Sequence, residues 1–310
     1  MVTGASRGAA YDRRAVPPDT DPITFVPSSD GVVVALHDLG GPADPAAPVL
    51  LLSHATGFCA LAWRPLASHL VDRFRCYALD YRGHGRTELP AGATLHWSGM
   101  ADDALAVLEH LGAGTDHVVH GVAHSMGGAA LVLAEARRPG SCATFWLYEP
   151  VLVPPGAPAP TGEGNVMATT AARRRATFAS AEEAYTNYAS KPPLAELAPE
   201  ALAAYVEGGF APGPDGAVTL RCRPETEAAV FNGAATSGAW DRLGDLTLPV
   251  AVVAGRPEPF GPVAFARPAV EAMRHATLVE RPDLGHFGPL QRPAEAATDL
   301  AQWIDSNRGG

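Results

Sequence analysis

The segment Gly121-Val122-Ala123-His124-Ser125-Met126-Gly127-Gly128 constrains this chain more than any other. Strand-forming residues precede it (His117-Val118-Val119-His120), and a small-residue stretch of helical character follows from Ala129 to Arg138. A serine held between a strand and a helix can sit on a sharp turn that pushes its hydroxyl forward. The usual G-x-S-x-G pattern has glycine where this chain has Ala123. Alanine adds one methyl there, which is tolerable if the backbone does not need a positive φ. Ser125 is therefore a candidate nucleophile.

The flanking sequence supplies the sheet that such a turn requires. Strands are expected at Ile23–Val26 and Val32–Leu39, joined by the turn Ser28-Ser29-Asp30-Gly31. Val49–Ser53 is continuously apolar, as suits a central parallel strand covered on both faces. A helix over Trp63–Leu70, a strand at Arg75–Leu79 and a helix over 98–112 follow, the last with Met100, Ala104, Leu105, Val107, Leu108 and Leu111 on one face. After the Ser125 turn come strands at Thr144–Tyr148, Pro249–Gly255 and Ala276–Glu280, then a closing helix over Pro293–Ser306. This alternation predicts an open, mostly parallel α/β sheet flanked by helices. Between Pro150 and Pro249 the pattern breaks: 153–162 is rich in Pro and Gly, and 165–235 reads as mostly helical. The expected organisation is a flexible arm over 1–22, a core over 23–152 and 239–310, and a helical insertion over 153–238.

Bulk properties exclude several function classes. A chain of 310 residues can bury one large core with a modest insertion. The formal net charge of −10 disfavours a nucleic-acid surface, which needs basic residues to neutralise phosphates. Four cysteines, Cys59, Cys76, Cys142 and Cys222, form no CxxC pair and read as scattered small hydrophobes, so no metal site is expected. No apolar signal segment precedes Arg13-Arg14, and no uninterrupted apolar window approaches the ~18 residues of a membrane span. A cytoplasmic protein without a membrane span, acting on a small molecule and able to pair as a homodimer, is the expectation. The motif Thr3-Gly4-Ala5-Ser6-Arg7-Gly8 resembles the glycine loop of short-chain dehydrogenases. It lacks the preceding strand that a dinucleotide site needs, so no cofactor is expected.

A serine hydroxyl attacks a carbonyl only when an imidazole removes its proton, and the imidazole needs a carboxylate on its other nitrogen. His286, in Asp283-Leu284-Gly285-His286-Phe287 after the final strand, is the candidate base. Glu258, three residues past Gly255, is the first choice of acid, and Glu149, directly after Thr144–Tyr148, is the alternative. The developing oxyanion needs two backbone N–H donors, expected from Met126 and from Thr56 in the loop after Val49–Ser53. Asp283 is expected to shape its own turn, Asp80 to anchor its loop, and His54 and His84 to be structural. Phe58, His124, Trp146, Tyr185, Tyr188 and Phe287 are candidate pocket residues, and Arg173-Arg174-Arg175 is read as a solvated helix face.

The motifs His54-Ala55-Thr56-Gly57-Phe58, Asp80-Tyr81-Arg82-Gly83-His84-Gly85, His124-Ser125-Met126-Gly127-Gly128, Gly255 to Glu258 and Gly285-His286-Phe287 together resemble the α/β-hydrolase superfamily. The resemblance covers roughly residues 23–306, with Ala55 and Ala123 in place of glycines and Glu258 in place of aspartate. It implies the α/β-hydrolase fold, with 153–238 as a lid after the sixth strand. It also implies a hydrolase of esters, lactones, thioesters or amides working through an acyl-enzyme. Diketone C–C hydrolases, cofactor-free oxygenases and non-catalytic binding proteins share the scaffold. Epoxide hydrolases and haloalkane dehalogenases use an aspartate nucleophile, which Ser125 argues against.

Overall fold

In the computed structural model, residues 22–157, 162–258 and 261–307 are described. The arm expected over 1–22, with its glycine-rich Thr3–Gly8, lies outside the described residues apart from Pro22. An eight-stranded sheet organises the chain. Its first strands are β1 (Ile23–Pro27), β2 (Val33–Asp38), β3 (Val49–Ser53), β4 (Arg75–Asp80), β5 (Val119–His124) and β6 (Thr144–Tyr148). After the insertion come β10 (Val250–Ala254) and β11 (Ala276–Glu280). The spatial order is β1-β2-β4-β3-β5-β6-β10-β11. β1 and β2 pair antiparallel, β2 meets β4 antiparallel, and every later pairing is parallel.

Every residue of β3, β5, β6 and β10 is buried, which explains their continuous apolar runs. Alternate side chains feed two separate layers. Leu51, Phe145, Leu147, Val250 and Val252 pack with Met100, Ala104 and Val107 of α2 (Trp97–His110) and with α3 (Met126–Arg137). α8 (Val263–Ala272) lies on the same side. Leu50, Leu52, Val122, Trp146, Ala251 and Val253 pack with α1 (Arg64–Ala67) and with Ala297, Leu300 and Ile304 of α9 (Pro293–Ser306). The helix expected over Trp63–Leu70 is shorter: a 3-10 turn at Ala60–Trp63 runs into α1, where Pro65 sits in the first turn.

The inserted region lies between β6 and β10. It carries α4 (Val166–Ala171), α5 (Ala181–Ala189), α6 (Pro199–Gly209) and α7 (Pro224–Gly233). It also holds a small antiparallel sheet, β7 (Thr177–Phe178), β9 (Val218–Leu220) and β8 (Phe210–Pro212), which the mostly helical reading did not include. Strands of two or three residues are too short for a period-two pattern to register. A shared apolar cluster joins the insertion to the loop after β3, through Phe178, Tyr188, Leu202 and Tyr205 on one side and Ala55, Phe58 and Leu61 on the other. No helix among the described residues is long and apolar enough to cross a membrane.

Candidate active site

β5 ends at His124, and α3 begins at Met126 with no residue between them but Ser125. Ser125 has φ 57° and ψ −119°, a backbone conformation that costs a non-glycine residue ~1–3 kcal/mol. Its surroundings over-determine that strain. The Ser125 N–H donates to the Tyr148 carbonyl (3.0 Å), and the Ser125 carbonyl accepts from Gly128 and Val151 N–H (both 3.1 Å). The turn is also pressed against the loop after β3. A Cβ on Gly127 would stand 2.3 Å from the Ser53 hydroxyl and 2.6 Å from the Ser53 carbonyl. The positive φ falls on the serine and not on Ala123, whose methyl is fully buried in the sheet core. An alanine at that position therefore fits.

The carboxylate on the candidate base is Glu149. His286 Nδ1 donates to Glu149 Oε2 at 2.6 Å, and the Gly255 N–H donates to Oε1 at 2.9 Å. Glu149 is 2% exposed, follows β6 directly, and reaches across beneath the end of β10 with its own φ at 40°. Glu258, the first choice from sequence, is exposed in the loop after β10, and Gly255 at the strand end meets Glu149 instead. That choice is corrected: the residue four past the strand has already turned into solvent, while the residue at the end of β6 faces the histidine loop.

Since Nδ1 donates to Glu149, the Nε2 of His286 is the free ring nitrogen. The His286 loop is held from several sides. The Tyr148 hydroxyl donates to the Gly285 carbonyl (2.8 Å), the Gly285 N–H to Gln291 Oε1 (2.8 Å), and the Arg256 N–H to the Leu284 carbonyl (2.6 Å). The ring of His124, adjacent to Ser125, lies 4.7 Å from the ring of His286, which places the imidazole beside the elbow. Burial, reinforced by the neighbouring His286, holds the His124 pKa well below its ordinary value, so His124 is neutral there.

Met126 opens α3, so its N–H has no intrahelical acceptor. Among the described residues, no hydrogen bond engages the Thr56 N–H, in the turn that the Phe58 N–H closes onto the Ala55 carbonyl (3.1 Å). The other histidines serve structure. His54 Nδ1 donates to the Ala55 carbonyl (2.8 Å) while its Nε2 accepts from the Tyr81 N–H (3.1 Å). His84 Nδ1 bonds the Arg82 carbonyl (3.0 Å). Asp80 anchors its loop and the next, accepting from Arg86 N–H (2.8 Å), Ala60 N–H (2.7 Å) and His37 Nε2 (2.9 Å). Burial pushes its carboxyl up, but those hydrogen bonds and nearby histidines outweigh it and hold the pKa below the ordinary value. Asp283 pairs with Arg281 in its own turn (3.2 Å).

The expected pocket residues divide. Phe287 lies 5.1 Å from the His286 ring, 5.4 Å from His124 and 5.2 Å from Phe58, so these rings gather beside the elbow. Trp146 does not join them: β6 alternates, and its ring packs in the layer under α1 and α9. Tyr185 and Tyr188 are buried in the cluster of the insertion. The Arg173–Arg175 run also divides. Arg173 and Arg175 are exposed, but Arg174 turns inward to Glu227 on α7 (2.5 Å) and to the hydroxyls of Tyr188 (3.0 Å) and Tyr205 (2.7 Å). Sequence reasoning missed Arg174 and Glu227, because nothing local distinguishes one arginine of three. Among the described residues no group of His, Cys, Asp or Glu is arranged to hold a metal.

A family model described as the alpha/beta hydrolase family matches residues 49–299. The chain belongs to the α/β-hydrolase family. Within it, the chain is similar to mouse (Mus musculus) protein phosphatase methylesterase 1, at 39% identity over 87 residues. That match spans 27% of this chain and 22% of the mouse protein, about a fifth of its length. Among solved structures, E-2-(acetamidomethylene)succinate hydrolase superposes with a TM-score of 0.69 at 19% identity, covering 92% of this chain and 99% of that one. The enol-lactonase from Burkholderia xenovorans LB400 gives 0.67 at 20% identity, covering 92% and 100%. Both likenesses carry the fold. The proteins it resembles thus include a methylesterase, a hydrolase and an enol-lactonase.

Proposed function

We propose that this protein is a serine hydrolase that cleaves a carboxylic ester, or a related acyl bond such as a lactone or thioester, in a small and partly apolar molecule. The observation that carries the reading is a strained Ser125 at a strand-to-helix turn, beside a His286 whose Nδ1 is fixed by the buried Glu149. In this reading Ser125 Oγ attacks the carbonyl carbon while His286 Nε2 takes its proton. Glu149 sets the tautomer and stabilises the imidazolium, its second oxygen being held by Gly255. The Met126 and Thr56 N–H groups receive the oxyanion. Collapse of the tetrahedral intermediate expels the alcohol or thiol, which takes the proton from His286. Water activated by the same imidazole then releases the acid. Phe58, Phe287 and His124, a neutral aromatic wall, favour an apolar acyl or leaving group.

A panel of p-nitrophenyl esters of graded chain length, with lactones and thioesters alongside, tests this. The expected result is turnover of at least one class with a pre-steady-state burst of one leaving group per chain, the mark of an acyl-enzyme. Cleavage confined to diketones, or oxygen consumption without hydrolysis, would overturn the acyl-transfer reading.

A further inference from the structure

We propose that Glu227 and Arg174 are a positioning pair that holds the Gly57 turn, and through it the Thr56 N–H, so that the inserted region is a working part of the oxyanion site. This rests on the serine-hydrolase reading above. Its starting point is an ion pair in a place where charge is costly. Glu227 is 5% exposed, and Arg174 is pinned at three contacts, to Glu227 and to two tyrosine hydroxyls. A buried ion pair contributes little net stability, since desolvation offsets its attraction, and its attested use is to fix register.

The pair meets the core at Gly57. Gly57 has φ +76°, and a Cβ there would lie 2.4 Å from Glu227 Oε1 and 3.2 Å from the Arg174 guanidinium. The carboxylate therefore rests directly on the turn that follows Thr56. Glu227 has a firm base, because α7 is tied to the core: the Trp97 indole N–H donates to the Val230 carbonyl (2.9 Å), and Val230 is fully buried. Arg174, just past α4, with Tyr188 on α5 and Tyr205 on α6, brings the rest of the insertion to that base. Tyr205 also stacks on Phe58, one residue past Gly57, at 4.9 Å. Turn, ion pair and aromatic contact thus lock the loop after β3 from above.

The pair is charge-balanced internally, which separates this role from a substrate clamp. Three of the five guanidinium donors are engaged and the charge is balanced by Glu227, so an anionic substrate would meet a cation already neutralised. The consequence is a change in kcat and not in KM. Losing one oxyanion donor costs ~100–1000-fold, so letting it drift is expected to cost about 10–100-fold.

The test measures kcat and KM for Glu227→Gln and Arg174→Lys on the best p-nitrophenyl ester. Rates are expressed per active site titrated with a fluorophosphonate, and thermal unfolding is recorded in parallel. Lysine keeps the charge but loses the planar fork, so Arg174→Lys carries the same expectation should Glu227→Gln fail to fold. The expected result is a fall in kcat per titrated site of about 10–100-fold, with KM within about threefold of the parent. An unchanged kcat per site, with only Tm or the titratable fraction lowered, would make the pair a stabilising contact and overturn the proposal. A rise in KM alone would make it a substrate contact and overturn it equally. If the parent protein neither titrates nor turns over any ester, the serine-hydrolase reading has failed and the proposal falls with it. A parent that does both while the variants match it loses the positioning role alone.

Discussion

At the residue scale, the position of one side chain at a strand end decides which acid serves the histidine. Glu149 leaves the end of β6 with a positive φ, and its two oxygens bridge Gly255 and His286. Glu149→Gln is expected to lower kcat about 10⁴-fold with the fold intact, because an amide can no longer hold the correct tautomer. Glu258→Gln, at an exposed position, is expected to stay within about twofold. Steady-state kinetics at equal titrated enzyme check both, and a reversed ranking would restore Glu258. Ser125 and His286 are legible in the sequence because each sits in a local pattern tied to a strand end. The acid is not, since Glu149 and Glu258 both follow strands and only the register of β6 against β10 separates them. Arg174 was illegible for a similar reason: its partner Glu227 lies 53 residues away.

At the scale of elements, legibility follows the strength of the local signal. The central strands could be read because burial on both faces demands apolar runs, and β3 and β6 span Val49–Ser53 and Thr144–Tyr148 as their patterns indicate. α2 could be read because its buried residues recur at helical spacing. Which face a strand residue occupies was harder to read. Trp146 and Leu147 are adjacent and equally apolar, yet they enter opposite layers. An aromatic residue expected at the site thus proved to be core. The insertion shows the limit: its helices carry a period, while β7, β8 and β9 are too short to carry one.

For the whole molecule, the two apolar layers enclose several histidines that the fold keeps uncharged. Burial lowers the pKa of His54, takes that of His84 down to about 3, and holds that of His124 well below 6.5. Each resists protonation in the folded chain, whereas in the unfolded chain it takes up a proton below about pH 6.5. The unfolded state then binds more protons, so stability is full above pH 6.5 and falls as pH drops towards 4. Burial raises the pKa of Glu135 and Glu227, which acts in the opposite sense, while the lowered carboxyl of Asp80 acts in the same sense as the three histidines. Urea unfolding midpoints are expected to be flat between about pH 7 and 8 and to decline steadily from about pH 6.5 to 4.5. A midpoint that holds or rises over the lower range would contradict that balance. The fold as a whole was legible because strand, turn and helix signals agree along most of the chain. The central claim remains the nucleophile, and intact-mass spectrometry after fluorophosphonate treatment tests it most directly. The account predicts one adduct per chain, mapped to Ser125 and absent from Ser125→Ala. An adduct elsewhere, or equal labelling of the alanine variant, would contradict it.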